Sequence, residues 1–122
     1  MIKILLVDDE PFIRKGIQIL IDWESYGYEI VAEASNGVEA IKELQKNEID
    51  LIITDIKMPE MNGLEFIEYT QSNIKKKYKF IVLSGFYEFE YAKKAIKYNV
   101  KDYILKPIVV DELIKVLTSF KE

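Results

Sequence analysis

Short apolar runs alternate along the chain with segments in which apolar residues recur at helical spacing. Continuous runs of this length are typical of buried strands. They lie at Ile2–Val7, Ile49–Thr54 and Phe80–Leu83, with shorter ones at Glu29–Ala34 and Lys101–Leu105. The pattern therefore predicts five strands separated by helices.

The predicted helices lie at Pro11–Trp23, Gly37–Lys46, Leu64–Asn73, Tyr87–Tyr98 and Val110–Phe120. Pro11 suits a first helical turn, where its missing N–H costs nothing, and Asp9 is a plausible cap before it. Asn-Gly pairs at 36–37 and 62–63 mark two further helix starts.

Strands that alternate with helices predict right-handed crossovers and a parallel sheet with helices on both faces. Both faces of such a sheet are buried, which explains why the strands are continuously apolar. The expected fold is a doubly wound α/β sandwich. In these folds the functional site lies outside the carboxyl ends of the strands.

Polar residues follow the predicted strands at that edge. Asp8 and Asp9 close the first strand and Asp55 follows the third. Three converging carboxylates repel one another, and they are ligands that a hard cation such as Mg²⁺ prefers. Taken alone, Asp8 and Asp9 fit a helix cap in a solvated turn equally well.

Ser84 and Lys106 stand at the ends of the fourth and fifth strands. A hydroxyl and an ammonium, together with a metal ion, can bind the oxygens of a transferring phosphoryl group. Asp55 would then be the nucleophile, because aspartate can form an acyl phosphate. Each of these two residues, considered singly, is more typical of a turn or of a solvated surface.

The 122 residues, 49% hydrophobic and 31% charged, predict one soluble domain spanning 1–122, with no second domain and no recognition helix. The absence of cysteine and histidine excludes disulfides, thiolate zinc sites, thiol nucleophiles and histidine bases. No apolar run is long enough for a membrane span, and the N-terminal residues do not form a signal peptide, so a cytoplasmic location is expected.

Charge is distributed unevenly along the chain. Residues 1–72 carry 6 basic and 15 acidic side chains, whereas residues 73–106 carry 9 basic and 3 acidic ones. The basic third is either a surface for an acidic partner or a solvated run of lysines.

The motifs VDDEP, TDIKMPEMNGLEF, LSGF and DYILKP, at these spacings, resemble the receiver domain of two-component response regulators over essentially the whole chain. The resemblance implies a flavodoxin-like (βα)5 fold with strand order 2-1-3-4-5. It implies that Asp55 accepts a phosphoryl group from a phosphohistidine on a sensor kinase. It also implies Mg²⁺ as the cofactor, held by Asp8, Asp9, Asp55 and the backbone carbonyl of Lys57.

The resemblance assigns the remaining site residues as well. Ser84 would bind a phosphoryl oxygen, Lys106 would pair with the phosphoaspartate, and the Lys106–Pro107 bond would be cis. Tyr103 would be the aromatic switch that follows the Ser84 hydroxyl. Phosphorylation would then change the surface of the fourth helix, fifth strand and fifth helix, within residues 87–120.

Two positions set the rate of dephosphorylation in this family, and here they are Lys57 and Phe86. Neither side chain carries a carboxylate or amide that could orient a water molecule toward the phosphoryl group. We therefore expect a long-lived phosphoaspartate, on the order of minutes to hours.

The segments LIDWESYGYEIVAEASNG and FYEFEYAKKAI resemble the subfamily in which an AraC-type helix-turn-helix output domain follows the receiver. DNA binding and transcription regulation would then belong to residues outside this chain. The expected partners are a sensor histidine kinase, that output domain and, on phosphorylation, a second copy of the chain.

Other functions remain as alternatives. An aspartate-nucleophile phosphatase would need an acid two residues after the nucleophile, where Lys57 stands. A flavodoxin-like cofactor carrier would need a phosphate-binding loop after the first strand, where the acids would repel phosphate. A stand-alone receiver without a DNA-binding output is a further alternative. The full acceptor set argues against a receiver-like protein that works without phosphorylation. The leading prediction is a signalling module that is not an enzyme beyond its own phosphotransfer and slow autodephosphorylation.

Overall fold

A computed structural model describes residues 1–85, 100 and 102–120. Five parallel strands form one sheet in the order β2-β1-β3-β4-β5, which confirms the predicted flavodoxin-like topology. The strands are β1 (Ile2–Val7), β2 (Tyr28–Ala34), β3 (Leu51–Asp55), β4 (Lys79–Ser84) and β5 (Asp102–Leu105).

Helices cover both faces of the sheet. They are α1 (Pro11–Leu20), α2 (Gly37–Lys46), α3 (Gly63–Asn73) and a C-terminal helix (Val110–Phe120), with a short 3-10 helix at Trp23–Tyr26. The predicted helix at 87–98 lies outside the described residues. No helix in the described part of the chain combines the length and the apolar composition needed to cross a membrane.

Alternate strand residues feed two separate apolar cores, because successive side chains of a strand point to opposite faces. Leu5 and Val7 of β1 belong to the core under α2 and α3. Ile4 and Leu6 belong to the core under α1 and the C-terminal helix. Burial on both faces explains the continuous apolar runs and holds the carboxyl edge of the sheet in place.

The first helix ends earlier than predicted, at Leu20 rather than Trp23. Ile21 is extended, and Trp23 lies buried in the 3-10 helix, where its indole N–H donates to the carbonyl of Ile17 at 3.1 Å. The predicted boundary was wrong because an apolar residue at helical spacing can reach the same core from a turn after the helix.

Both helix starts predicted from Asn-Gly pairs are confirmed. The side chains of Asn36 and Asn62 accept the backbone N–H three residues on, each at 2.9 Å, as N-cap residues do. The prediction of Asp9 as the cap of α1 was wrong. Glu10 occupies the N-cap position, and its N–H donates to the Asp8 carboxylate at 3.0 Å.

Candidate functional site

The polar ends of four strands meet at one edge of the sheet. Asp8 follows β1, Asp55 and Ser84 are the last residues of β3 and β4, and Lys106 follows β5. Strand register makes them neighbours, because Asp55 pairs with Leu83 and Ser84 pairs with Leu105. Residues up to 98 positions apart in the chain therefore share one small site.

Three carboxylates form its acidic part. Oxygen atoms of Asp8, Asp9 and Asp55 all lie within 4.8 Å of one another. Asp8 and Asp55 are buried, and Asp9 is exposed, so the group opens to solvent on one side. A hard divalent cation fits this oxygen donor set and would relieve its repulsion.

Lys106 supplies the positive charge of the site. Its ammonium donates to Oδ2 of Asp8 at 2.9 Å and to Oδ2 of Asp55 at 3.0 Å. The backbone N–H of Lys106 donates to the carbonyl of Ser84 at 2.7 Å, and the Lys106–Pro107 bond is cis. The lysine thus joins the ends of β1, β3 and β4.

Burial and charge act in opposite directions on Asp55. Burial raises the pKa of this carboxyl, although the hydrogen bond and positive charge of Lys106 act to lower it. Burial acts to lower the pKa of Lys106, but its two carboxylate partners outweigh burial and raise it. Lys106 therefore stays protonated, while Asp55 bears a desolvation cost that one shared lysine does not offset.

Ser84 is fully buried beside this group, and its hydroxyl has no hydrogen-bond partner within the described part of the chain. A buried polar atom without a partner costs free energy, and structures retain one where it has a use. A phosphoryl oxygen is a suitable acceptor for this hydroxyl. The Ser84 hydroxyl and the Lys106 ammonium therefore fit a phosphorylated Asp55, and the three carboxylates fit a metal ion.

Comparison with protein families decides the identity of this fold and site. Residues 4–118 match the model of the response regulator receiver domain. The chain belongs to this family. The receiver domain is 48% identical over 117 residues to the Bacillus subtilis protein YesN, named an uncharacterized transcriptional regulatory protein, covering 96% of this chain and 32% of YesN.

Other relatives agree with this assignment. HptR, a transcriptional regulatory protein of Staphylococcus aureus, is 38% identical over 111 residues, covering 88% of this chain and 42% of HptR. The chain thus spans less than half the length of these curated relatives.

Solved receiver structures superimpose closely. The receiver domain of AraT from Geobacillus stearothermophilus gives a TM-score of 0.85 at 37% identity, covering 98% of this chain and 95% of that one. A two-component transcriptional regulator AraC from Clostridium phytofermentans gives 0.86 at 31% identity, covering 98% and 92%.

The loop after β3 holds Asp55 in the receiver domain. The N–H of Ile56 donates to Oδ1 of Asp55 at 2.8 Å, and the N–H of Gly63 donates to the carbonyl of Ile56 at 2.8 Å. A Cβ on Gly63 would lie 2.1 Å from the backbone oxygen of Asp55. Only glycine allows α3 to begin this close to the acidic group.

Three further predicted residues are Tyr103, Lys57 and Phe86. Tyr103 is in β5 with 37% of its surface exposed, and Lys57 is exposed in the loop after β3. Phe86 lies outside the described residues. Tyr103 pairs with Val82 of β4, two residues before Ser84, and Lys57 lies two residues after Asp55.

An apolar groove adjoins the site on the side of α1. It encloses about 270 Å³ and is lined by Phe12, Ile13, Gly16, Ile17, Leu20, Lys106, Pro107 and Ile108. Phe12, which lines this groove, is 84% exposed. Lys106 is common to the groove and the acidic group, so a partner in the groove would reach the site.

Two contributors to the site were missed from the sequence. Gly63 was interpreted only as a helix start, although it also makes room for the carbonyl of Asp55. The second is Arg14, whose guanidinium donates to the backbone carbonyl of Asp8 at 2.6 Å. It is the only arginine in the sequence, and that was the one available signal.

Proposed function

We propose that the receiver domain accepts a phosphoryl group on Asp55 from a phosphohistidine of a sensor histidine kinase. An oxygen of the Asp55 carboxylate would form the new bond to phosphorus. The bond between phosphorus and the imidazole nitrogen would break, and its electron pair would return to the kinase histidine. The observation that carries the proposal is the buried Asp55 carboxylate, grouped with Asp8 and Asp9 and bound by Lys106.

Other side chains of the site would bind the transferred group. Lys106 would pair with a phosphoryl oxygen, and the buried hydroxyl of Ser84 would donate to another. Asp8, Asp9 and Asp55 would hold Mg²⁺, together with the backbone carbonyl of Lys57. A bound ion there would neutralise charge on the phosphoryl oxygens.

Kinase docking would use the groove beside Lys106. A helix that carries the phosphohistidine could bury its apolar face against Phe12 and the groove wall, next to the acidic group. Contact at this place would bring the donor phosphorus to Asp55 without rearrangement of the sheet.

The surface that signals phosphorylation would be reached through Ser84 rather than through the groove. Engagement of Ser84 by the phosphoryl group would change the room available to Tyr103 and hence the surface within residues 87–120. The relatives are longer proteins with transcriptional names, and this supports an output domain outside the chain, of the AraC type by resemblance. The protein would act in the cytoplasm, and its phosphorylated form would dimerise.

This role differs from that of an enzyme that acts on a separate substrate. The domain would catalyse only its own phosphotransfer and a slow autodephosphorylation. The phosphatase alternative lacks support, because exposed Lys57 stands where its general acid would be needed.

Acetyl phosphate and Mg²⁺ provide the test, because they replace the kinase as donor. Intact-mass spectrometry should show the gain of one phosphoryl group, removable by hydroxylamine, and Asp55→Ala should abolish it. Asp22→Asn, at an exposed carboxylate, is the matched control and should leave the gain unchanged. Absence of the gain in the unaltered protein, or its persistence in Asp55→Ala, would refute the proposal.

A further inference from the structure

Arg14 joins three segments around the acidic group. It lies in α1, and its Nε donates to Oε1 of Glu33 at the end of β2 at 3.0 Å. One terminal nitrogen donates to the backbone carbonyl of Asp8 at 2.6 Å, with Ser35 Oγ at 3.4 Å. The Arg14 side chain is only 13% exposed, whereas its partner Glu33 is 43% exposed, so the contact with the Asp8 carbonyl is the better shielded of the two.

The backbone of Asp8 is therefore held on both sides. Its N–H donates to the carbonyl of Ala34 at 3.0 Å, and its carbonyl accepts from Arg14. The two peptide groups that flank Asp8 are thus both held, and its carboxylate accepts from Lys106 and from the N–H of Glu10. Asp9 follows directly, so the same contacts determine where its side chain begins.

Repulsion among the three carboxylates explains why the contacts that hold Asp8 matter. Asp8 and Asp9 are consecutive and face Asp55, and like charges at such distances push apart. A turn free to move would separate the oxygens that a cation needs close together. Residues that orient metal ligands through hydrogen bonds typically contribute 10-fold to 100-fold to metal affinity.

We propose that Arg14 is a positioning residue for the cation and phosphoryl site, acting through the carbonyl of Asp8. The inference rests on the proposed function, because it takes the acidic group as a Mg²⁺ site. Arg14 itself touches neither the cation nor the phosphoryl group. Its effect is to keep the Asp8–Asp9 turn in the geometry that binds them.

Charge alone predicts the opposite result, which makes the test sharp. Removing a positive charge near three carboxylates should strengthen cation binding by Coulomb's law. Loss of positioning should weaken it. Arg14→Gln is therefore expected to bind Mg²⁺ about tenfold more weakly than the unaltered domain, measured by titration of the backbone amide signals of Asp9 and Ile56.

Glu33→Gln is the matched control, because it removes the ion pair with Arg14 and leaves the carbonyl contact. Its Mg²⁺ affinity should stay within about twofold of that of the unaltered domain. Equal weakening by Glu33→Gln and Arg14→Gln would assign Arg14 to the packing of α1 on β2 and overturn the inference. Unchanged or tighter Mg²⁺ binding by Arg14→Gln would overturn it too.

Phosphorylation by acetyl phosphate separates binding from chemistry. For Arg14→Gln the Mg²⁺ concentration giving half the maximal rate should rise about tenfold, while the rate at saturating Mg²⁺ stays within about twofold. A fall in the saturated rate with unchanged half-saturation would contradict positioning of the cation ligands.

Two further variants keep the outcomes distinct. Arg14→Lys retains the charge and one donor, so its Mg²⁺ affinity should lie between those of Arg14→Gln and the unaltered domain, and it serves if Arg14→Gln does not fold. Asp9→Ala should abolish Mg²⁺ binding. If the unaltered domain itself bound no Mg²⁺, the metal site of the proposed function would be refuted together with this inference. If the Arg14 variants bound Mg²⁺ as tightly as the unaltered domain, only the inference about Arg14 would be overturned.

Discussion

At the scale of single residues, Asp55 is a carboxylate whose surroundings disfavour its ionised form. It is buried, it faces Asp8 and Asp9, and it shares one lysine with Asp8. Burial raises its pKa from the ordinary value of 3.8 in spite of Lys106. The proposed phosphotransfer requires this carboxylate to be ionised, so the domain would give up stability at the position where it would react.

The effect of Asp55 on the free energy of unfolding depends on pH in a definite direction. The folded Asp55 has the higher pKa, so the folded state binds more protons than the unfolded state between the two values. The contribution of Asp55 to stability therefore becomes less favourable as pH rises through its folded pKa.

Asp55→Asn should consequently raise the melting temperature by a few degrees at pH 7 without Mg²⁺, because the desolvated charge is gone and Lys106 keeps Asp8 as a partner. The gain should vanish as pH falls below about 3.8. Thermal unfolding across that range measures it, with Asp22→Asn as the exposed control. A lower melting temperature for Asp55→Asn at pH 7 would show that Lys106 offsets the burial of Asp55 fully.

Lys57 governs how long the phosphorylated state lasts, if water positioning is what limits its lifetime. Its exposed side chain has no acceptor to orient a water molecule. Lys57→Asn supplies an amide there and should shorten the lifetime about tenfold. Decay of the phosphorylated mass after removal of acetyl phosphate measures this, with Lys75→Asn as control. A lifetime of seconds in the unaltered domain would contradict the explanation.

At the scale of elements, the loop after β3 is packed against the start of α2. The N–H of Gly37 donates to the carbonyl of Met61 at 3.0 Å, and a Cβ on Gly37 would lie 2.5 to 2.9 Å from the Met61 side chain. Glu60, directly before Met61 in this loop, has a positive φ of 65°. The loop that leads from Asp55 to α3 is therefore shaped by close contact with another helix.

Alanine substitutions test this contact. Gly37→Ala should lower the free energy of unfolding by about 1 to 3 kcal/mol through overpacking. In Gly37→Ala/Met61→Ala the clash is relieved, so the double variant should be more stable than the sum of the single changes predicts. Urea unfolding provides the four free energies, and strictly additive values would contradict the contact.

Two other glycines provide comparisons for the Gly37 substitution. Gly63→Ala meets the backbone of Asp55 at 2.1 Å, which no side-chain truncation can relieve, so its cost should persist beside Met61→Ala. Gly16, in α1, has nothing within 4 Å of an added Cβ. Gly16→Ala should stabilise by up to about 1 kcal/mol, as alanine does within a helix.

At the scale of the whole molecule, an aromatic chain joins the connection between α1 and β2 to the C-terminal helix. The rings of Trp23 and Tyr28 lie 6.5 Å apart, edge to face, and those of Tyr28 and Phe120 lie 6.3 Å apart. The Tyr28 hydroxyl donates to the carbonyl of Leu117 at 2.6 Å. This contact holds the last turn of that helix to the sheet.

Tyr28→Phe should therefore cost about 1 kcal/mol at pH 7, the usual contribution of one hydrogen bond. Burial raises the pKa of Tyr28 to about 12. The unfolded tyrosine ionises near pH 10, so the folded protein loses stability as pH rises from about 10 to about 12, and the advantage over Tyr28→Phe should narrow there. Unfolding free energies against pH measure this, with Tyr26→Phe as control. An equal alkaline loss in Tyr28→Phe would contradict it.

Periodicity alone was enough for the alternation of strands and helices and for the sheet edge where the site lies, whereas the strand order came from the resemblance to receiver domains. Apolar runs and helical spacing are local properties, and the crossover rule converts their order into a parallel sheet. Asp8, Asp55, Ser84 and Lys106 could be selected because each ends a strand. Their grouping follows from the topology, not from any detail of packing.

Contacts between distant segments decided the rest. Three such features have no periodic pattern in the sequence that would predict them. They are the hydrogen bond from Arg14 to the Asp8 carbonyl, the close approach of Gly63 to Asp55, and the turn that ends α1 before Trp23. Such features depend on which atoms meet once the layers are packed, and a shift of an ångström would remove them. The amino-acid sequence by itself determined the chemistry available at the sheet edge, and the tertiary structure decided which groups hold that chemistry in position.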